Sequence, residues 1–158
     1  MNYSFIIRKA TVDDAEAIYS ITQEAFRKYM KDTGLTGTME ALEESIDDIK
    51  KDFKAKEIFI AFIDNVAVGT IRIQIFPDKT AYISRFGVSL QYHNIGIGKS
   101  LMNLADKLLK SKGVKQVSLH TASNYSDLVR FYYGRGFYID STTKDRGYTR
   151  ALMVKKYE

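Results

Sequence analysis

The sequence predicts a single α/β (α+β) domain: a mixed, mostly antiparallel sheet of six to seven strands, flanked by about four helices in the order βααβββαβαββ. Three observations carry this. Segments with apolar residues at helical spacing are interleaved with short runs of period two. The stretch from 57 to 88 reads as three consecutive strands joined by two tight turns. A chain of 158 residues with 45% apolar content can bury one substantial core and is short for two.

The elements follow in order. Phe5-Ile6-Ile7 is a short strand. Thr11 with Asp14 three residues on marks a helix start, and Ala15, Ile18, Ile21, Ala25 and Tyr29 recur at helical spacing behind it. Gly34 and Gly37 interrupt the chain before a second amphipathic helix with Met39, Leu42, Ile46 and Ile49 on one face. Strands then run from Ile58 to Ile63, Val66 to Phe76 and Thr80 to Val88, with turns at Asp64-Asn65 and Pro77-Asp78. A helix from Ile97 to about Lys112 turns Ile97, Leu101, Leu104, Ala105 and Leu108 inward and stops at Gly113. A strand with Val117 and Leu119, a short helix from about Tyr125 to Tyr133, and two strands around an Arg146-Gly147 turn complete the chain. No repeat, low-complexity stretch or linker divides residues 1–158.

Composition narrows the chemistry. With no cysteine there is no disulfide framework, thiolate nucleophile or cysteine-type zinc site, and no metal is expected. The longest apolar run, Ile58 to Ile63, is far below the roughly 18 residues of a membrane span, and the N-terminus lacks a signal-peptide layout. A cytoplasmic protein without a membrane partner is expected. The net charge of +5 favours anionic partners such as nucleotide phosphates. Nucleic acid is not among them: Arg135-Gly136-Phe137-Tyr138 echoes an RNA-recognition signature that Ile139-Asp140-Ser141 does not continue.

Two local features point to a ligand. In the third strand of the hairpin series, Ala81 and Ile83 set an odd-numbered apolar face, whereas Phe86 and Val88 are even-numbered. A strand keeps its faces only while its period is unbroken, so a β-bulge near Arg85 is predicted; a strand buried on both faces is the alternative. Next comes Val88-Ser89-Leu90-Gln91-Tyr92-His93-Asn94-Ile95-Gly96-Ile97-Gly98-Lys99-Ser100, a strand, a turn with two glycines and a helix start. Glycines admit an anion to the backbone, and the helix start offers free N–H groups, so a pyrophosphate fits, although an ordinary strand-to-helix turn would share the pattern. A Walker A loop fails because His93 stands where its first glycine is required, and a dinucleotide fingerprint fails because Leu101 replaces the third glycine.

Val88 with His93-Asn94-Ile95-Gly96-Ile97-Gly98 resembles the acetyl-CoA signature of the GNAT N-acetyltransferase superfamily, with His93 where glutamine or arginine is usual. Phe131-Tyr132-Tyr133-Gly134-Arg135-Gly136-Phe137 is similar to the family's aromatic-Tyr-x-x-x-Gly-Phe segment. The resemblance implies acetyl transfer from acetyl-CoA to a primary amine of a small molecule or peptide, by direct attack in a ternary complex. It implies a pantetheine cleft beside Phe86 and Val88, with the Val88 backbone N–H polarising the thioester carbonyl, and a pyrophosphate on His93, Asn94, Ile95, Gly96, Ile97, Gly98, Lys99 and Ser100. Tyr132 matches the family's general acid, though on composition alone it is one of an aromatic cluster. Asn124 lies one residue from the family's usual asparagine and is carried as a cofactor contact. A non-catalytic acyl-CoA-binding regulatory module is the alternative function.

The base is not legible. Between Thr80 and Leu90 there is no carboxylate; Tyr82 and Ser84 are the polar groups there, and His120, on the following strand, is a candidate base or a structural histidine. Glu40, Glu43, Glu44, Asp47 and Asp48 line the polar side of the second helix. They would attract a polyamine or a lysine-containing acceptor, unless they form a solvated face. A homodimer is compatible with this reading.

Overall fold

The computed structural model describes residues 4–158. Its strands are β1 (Ile6–Lys9), β2 (Glu57–Ile63), β3 (Val66–Ile75), β4 (Thr80–Val88), β5 (Gln116–Ala122), β6 (Tyr138–Thr143) and β7 (Arg150–Lys156). They form one sheet in the order β1-β2-β3-β4-β5-β7-β6. All neighbours are antiparallel except β4 and β5, the parallel pair expected of a strand, crossover helix and strand. That crossover is α4 (Ile97–Ser111); the other helices are α1 (Ala15–Thr33), α2 (Glu40–Glu43), α3 (Ile46–Asp52) and α5 (Ser126–Gly134).

The sheet is covered on both faces. Ile58 and Ile60 of β2 pack with Ile18 of α1 and Ile49 of α3. Ile71 and Ile73 of β3 pack with Leu101 of α4 and Tyr132 of α5 on the other face. The buried stripe of α4 is Ile97, Leu101, Met102, Ala105 and Leu109, with Leu104 and Leu108 at its margin.

The Thr11–Asp14 capping pair forms, with the Thr11 N–H donating to Asp14 Oδ2 at 2.8 Å, and it opens a 3₁₀ turn that runs into α1. The second amphipathic stretch, expected as one helix, is two. Glu44 and Ser45 are extended (ψ 139 and 169), and Ser45 begins α3 with a capping box: its N–H donates to Asp48 Oδ2 at 2.9 Å and Asp48 N–H donates to Ser45 Oγ at 3.1 Å. A serine followed three residues on by an acid satisfies two free donors at once, which makes a new start there more favourable than continuing one helix.

The break turns Glu44 inward. Arg72 of β3 is fully buried on the α1–α3 face, where it donates to Glu44 Oε1 at 2.6 Å, Glu44 Oε2 at 3.0 Å and Asp52 Oδ2 at 2.9 Å. A buried guanidinium needs such partners, because leaving one charge unpaired costs far more than an intact pair contributes. The expected acidic face is therefore partly spent inside the protein.

The predicted bulge is present. Thr70 pairs with Gly87 and Arg72 with Ser84, so Ile71 alone faces both Arg85 and Phe86, and Arg85 takes φ +51. The bulge brings Phe86 and Val88 onto the apolar side already occupied by Ala81 and Ile83.

Replacing Arg72 by methionine should lower the unfolding free energy by about 3–5 kcal/mol. Lys9→Gln, which breaks the exposed pair to Glu57, should cost roughly 0–1 kcal/mol. Urea denaturation of both variants checks this; equal effects would mean that the Arg72 cluster is not buried as described.

Candidate active site

The site begins where β4 and β5 part. Their pairing covers only Thr80–Tyr82 with Gln116–Ser118, and past the bulge β4 runs free of β5. The Ser89 N–H donates to Val68 O at 2.7 Å. Because hydrogen-bonded and non-bonded pairs alternate along an antiparallel ladder, Val88, opposite Gly69, turns its own N–H and C=O away from β3 and toward the gap. His93 Nε2 lies 2.9 Å from Val88 O and donates to it, which satisfies the carbonyl and leaves the N–H open. Gly87 lets α1 lie against this stretch, since a Cβ there would come within 2.8 Å of Ala25 Cβ.

Beyond Val88 the chain makes a 3₁₀ turn at Leu90–Tyr92, and Asn94 and Gly96 take φ +66 and +94 before α4 starts. No side chain caps this end of α4, and its first intrahelical bond, Ser100 N–H to Gly96 O at 3.0 Å, leaves the N–H groups of Ile97, Gly98 and Lys99 free. A groove of about 880 Å³ runs over them, bounded by Phe86, Val88, His93, Asn94, Gly96 and Phe131 among others. Phe86 stacks on Phe131 (centroids 5.8 Å apart, planes at 15°), and a Cβ on Gly98 would meet Phe86 Cζ at 3.2 Å. Aromatic walls leading to a row of free amides with a helix dipole behind them suit an apolar arm ending in a pyrophosphate.

A second cavity, of about 220 Å³, opens on the other side of the gap. Lys28, Phe86, Val88, His93, Tyr125 and Leu128 border both spaces, so the two meet at the bulged strand. Tyr132 of α5 lines the smaller cavity at 4% exposure; burial pushes its phenol well above the ordinary tyrosine range, helped by Tyr29 and Tyr82, so it carries its proton. Tyr82, in the last β4–β5 pair, and His120, two residues past that pair on β5, line it together, with Tyr82 Oη 2.6 Å from His120 Nδ1. Burial first, then the positive charge of Arg150, hold the His120 pKa below the usual histidine value, so its imidazole is neutral at neutral pH. Tyr29 of α1 accepts from the Ala122 N–H at 2.6 Å, tying that helix to the end of β5.

The structure thus gathers Phe86, Val88, His93, Asn94, Gly96, Ile97, Gly98, Lys99, His120 and Tyr132 at the two spaces. Ile95 and Ser100 line neither; Ile95 packs against the core, and the Ser100 N–H is used within α4. Asn124 lines neither as well, its Nδ2 donating to Thr33 O at 3.3 Å, while Tyr125 beside it reaches both spaces and donates to Asp32 Oδ2 at 2.7 Å. Tyr29, Arg85, Arg146, Tyr148 and Arg150 also border the smaller cavity, a placement that the sequence does not indicate. Only the positive φ of Arg85 had a sequence signal, the phase shift of β4. Of the acidic residues on the second helical stretch, Glu40 alone lines it.

A parallel strand pair opened by a bulge, with a helix start of free amides at one side and a buried phenol at the other, fits one class: a transferase that takes an acyl group from coenzyme A. The family described as the acetyltransferase (GNAT) family matches residues 15–137, and the chain belongs to it. It is an acetyl-CoA-dependent N-acetyltransferase. A spermidine N(1)-acetyltransferase of Thermoplasma acidophilum is 27% identical over 164 residues, which is 98% of this chain and 99% of that one. The solved structure of PaiA N-acetyltransferase from T. acidophilum in complex with coenzyme A superposes with a TM-score of 0.84 at 25% identity, covering 98% of this chain and 99% of that one. The ribosomal-protein-S18-alanine N-acetyltransferase of Escherichia coli shares the fold, with a TM-score of 0.79 at 17% identity over 97% of this chain and 94% of its own. Among the described residues no helix is long and apolar enough to cross a membrane, and no three His, Cys, Asp or Glu residues cluster to hold a metal.

Gly96→Val should weaken coenzyme A binding by about tenfold or more, because valine resists φ near +94 and the loop must move to relieve it. Calorimetry with coenzyme A, on protein whose circular dichroism matches the parent, measures it; unchanged affinity would place the pyrophosphate elsewhere.

Proposed function

We propose that this protein moves the acetyl group of acetyl-CoA directly onto a primary alkyl amine, within a ternary complex assembled across the β4–β5 gap. The observation that carries the reading is the free Val88 N–H on the wall shared by the two spaces, with Tyr132 facing the smaller one. The pyrophosphate rests on the Asn94 to Lys99 backbone, and the pantetheine arm follows the aromatic wall to Val88. The amine nitrogen attacks the thioester carbon, a C–N bond forms, and the Val88 N–H donates to the oxygen as it gains charge. The C–S bond then breaks, and Tyr132 protonates the leaving thiolate. The ammonium proton that must leave before attack goes to the Tyr82 hydroxyl as that hydroxyl passes its own to His120 Nδ1, a relay the 2.6 Å contact and the neutral imidazole support. A chain without cysteine forms no acyl-cysteine, in keeping with direct attack.

The name of the Thermoplasma relative supports an alkyl chain ending in a primary amine as the acceptor class. Positioning rather than covalent catalysis supplies most of the acceleration in such a site, since both reactants are held against one short stretch of strand.

Tyr132→Phe removes one oxygen and little volume, so kcat should fall about 10²-fold while acetyl-CoA affinity and thermal stability stay near parental values. Tyr133→Phe is the control: Tyr133 is 50% exposed, and its oxygen only accepts from the Ile139 N–H at 3.3 Å. Equal turnover of Tyr132→Phe and the parent, with an amine the parent uses, would assign the thiolate proton to water or substrate.

A further inference from the structure

The acceptor cavity is walled by more positive than negative charge. Lys28, Arg85, Arg146 and Arg150 border it, and Glu40 is the one carboxylate among its described lining residues. The counter-charges are largely committed elsewhere. Lys28 is paired with Asp32, a residue of the coenzyme groove. Arg85 Nε reaches Glu44 at 3.4 Å, but that carboxylate already accepts two shorter bonds from Arg72. Arg146 lies 3.1 Å from Glu40, which is 67% exposed and screened by solvent.

Arg150 decides the matter. Its side chain is 12% exposed, its Nη2 finds Asp145 only at 3.3 and 3.5 Å, and its Nε is buried without a partner. A guanidinium carries five N–H donors in a planar fork that matches a carboxylate or phosphate, and leaving them desolvated and unpaired is costly. The register places it well: Arg150 pairs with Ala122 at the last rung of the β5–β7 ladder, two residues beyond His120 and on the open side of the gap. The charge is felt at the reacting end, where Arg150 and Arg146 help to hold His120 neutral and lower the pKa of Tyr82 against the effect of burial.

We infer that the preferred acceptor is a primary amine whose far end bears an anion, a carboxylate or a phosphate, held by Arg150 together with Arg85 and Arg146. The inference rests on the transfer reading above and names its substrate class. An acceptor with a second ammonium at that end meets three guanidinium groups, and like charges brought together in a partly buried space oppose binding. The acidic residues of the second helical stretch do not offset this, because Glu44 is spent on Arg72, while Glu43, Asp47 and Asp48 are exposed and none of them lines the cavity.

Four amines of nearly equal length separate the possibilities: δ-aminovalerate, aminobutylphosphonate, pentylamine and cadaverine. Thiol release with acetyl-CoA gives kcat/KM for each. Calorimetric titration of each into the coenzyme A complex gives its affinity independently of turnover. The expected result is that one or both anionic amines exceed cadaverine by about tenfold or more in both readouts, with pentylamine between. Whichever of the carboxylate and phosphonate is preferred identifies the anion. Arg150→Gln should narrow the ratio of anionic amine to cadaverine by about tenfold, and Arg146→Gln should narrow it less; thermal melts confirm that both fold. Cadaverine equal to or better than the anionic amines in the parent would overturn the inference, as would ratios unchanged in both folded variants. Preferential binding of the anionic amines without thiol release would uphold it and contradict the transfer reading instead.

Discussion

One extra residue in β4 shapes everything that follows. At Arg85 and Phe86 two residues face Ile71 alone, the strand bends, and pairing with β5 ends at Tyr82. An unbulged β4 would place Phe86 and Val88 on the face opposite Ala81 and Ile83, and would continue beside β5 with its amides engaged. The bulge opens two neighbouring spaces and leaves one N–H between them. Arg85 holds φ +51, an unfavourable conformation for a residue with a Cβ, and its Nε makes a long 3.4 Å contact with Glu44. Glu44 in turn is gripped by Arg72 on the adjoining strand. The strained residue thus lies beside a buried ion pair at the centre of the sheet.

The two sides of the gap use different physics. The larger groove offers backbone: free amides at the start of α4, a loop with two positive φ angles, and a glycine whose missing Cβ makes room for Phe86. Backbone amides ask little of the side chain at 93, where His93 bonds the Val88 carbonyl instead. The smaller cavity is lined by polar side chains instead. Tyr82, His120, Tyr132 and the arginines come from β4, β5, α5, the β6–β7 loop and β7, elements far apart in sequence.

That difference accounts for what was legible in the sequence. Most of the element order, the parallel β4–β5 pair and the α4 start follow from local pattern, and even the bulge shows as a change of phase between Ile83 and Phe86. The turn and helix start that border the larger groove, residues 90–99, form one segment and so fall together in the chain, whereas Lys28, Asp32, Tyr125 and Phe131 reach it from elsewhere. The division of the second helix depended on Ser45 and Asp48 forming a capping box inside an otherwise regular apolar stripe, a signal present in the sequence but outweighed by the spacing of Leu42, Ile46 and Ile49. Arg72 was hidden for another reason: a charged residue in a strand reads as the solvent face, and only the helices on both faces of β3 show that this position is buried. Arg146 and Arg150 reach the smaller cavity because β7 inserts between β5 and β6, an order that hydrophobic pattern does not specify.

In the proposed complex the thioester is held at the bulge by the Val88 N–H, and the coenzyme runs from there to the start of α4. A crystal structure with a non-hydrolysable acetyl-CoA analogue, in which a methylene separates the sulfur from the carbonyl, tests it most directly. The account predicts the carbonyl oxygen about 2.7–3.1 Å from the Val88 nitrogen, the sulfur beside the Tyr132 hydroxyl, and the pyrophosphate on the Asn94–Lys99 amides. A carbonyl directed away from β4, or a coenzyme lying outside the β4–β5 gap, would contradict it.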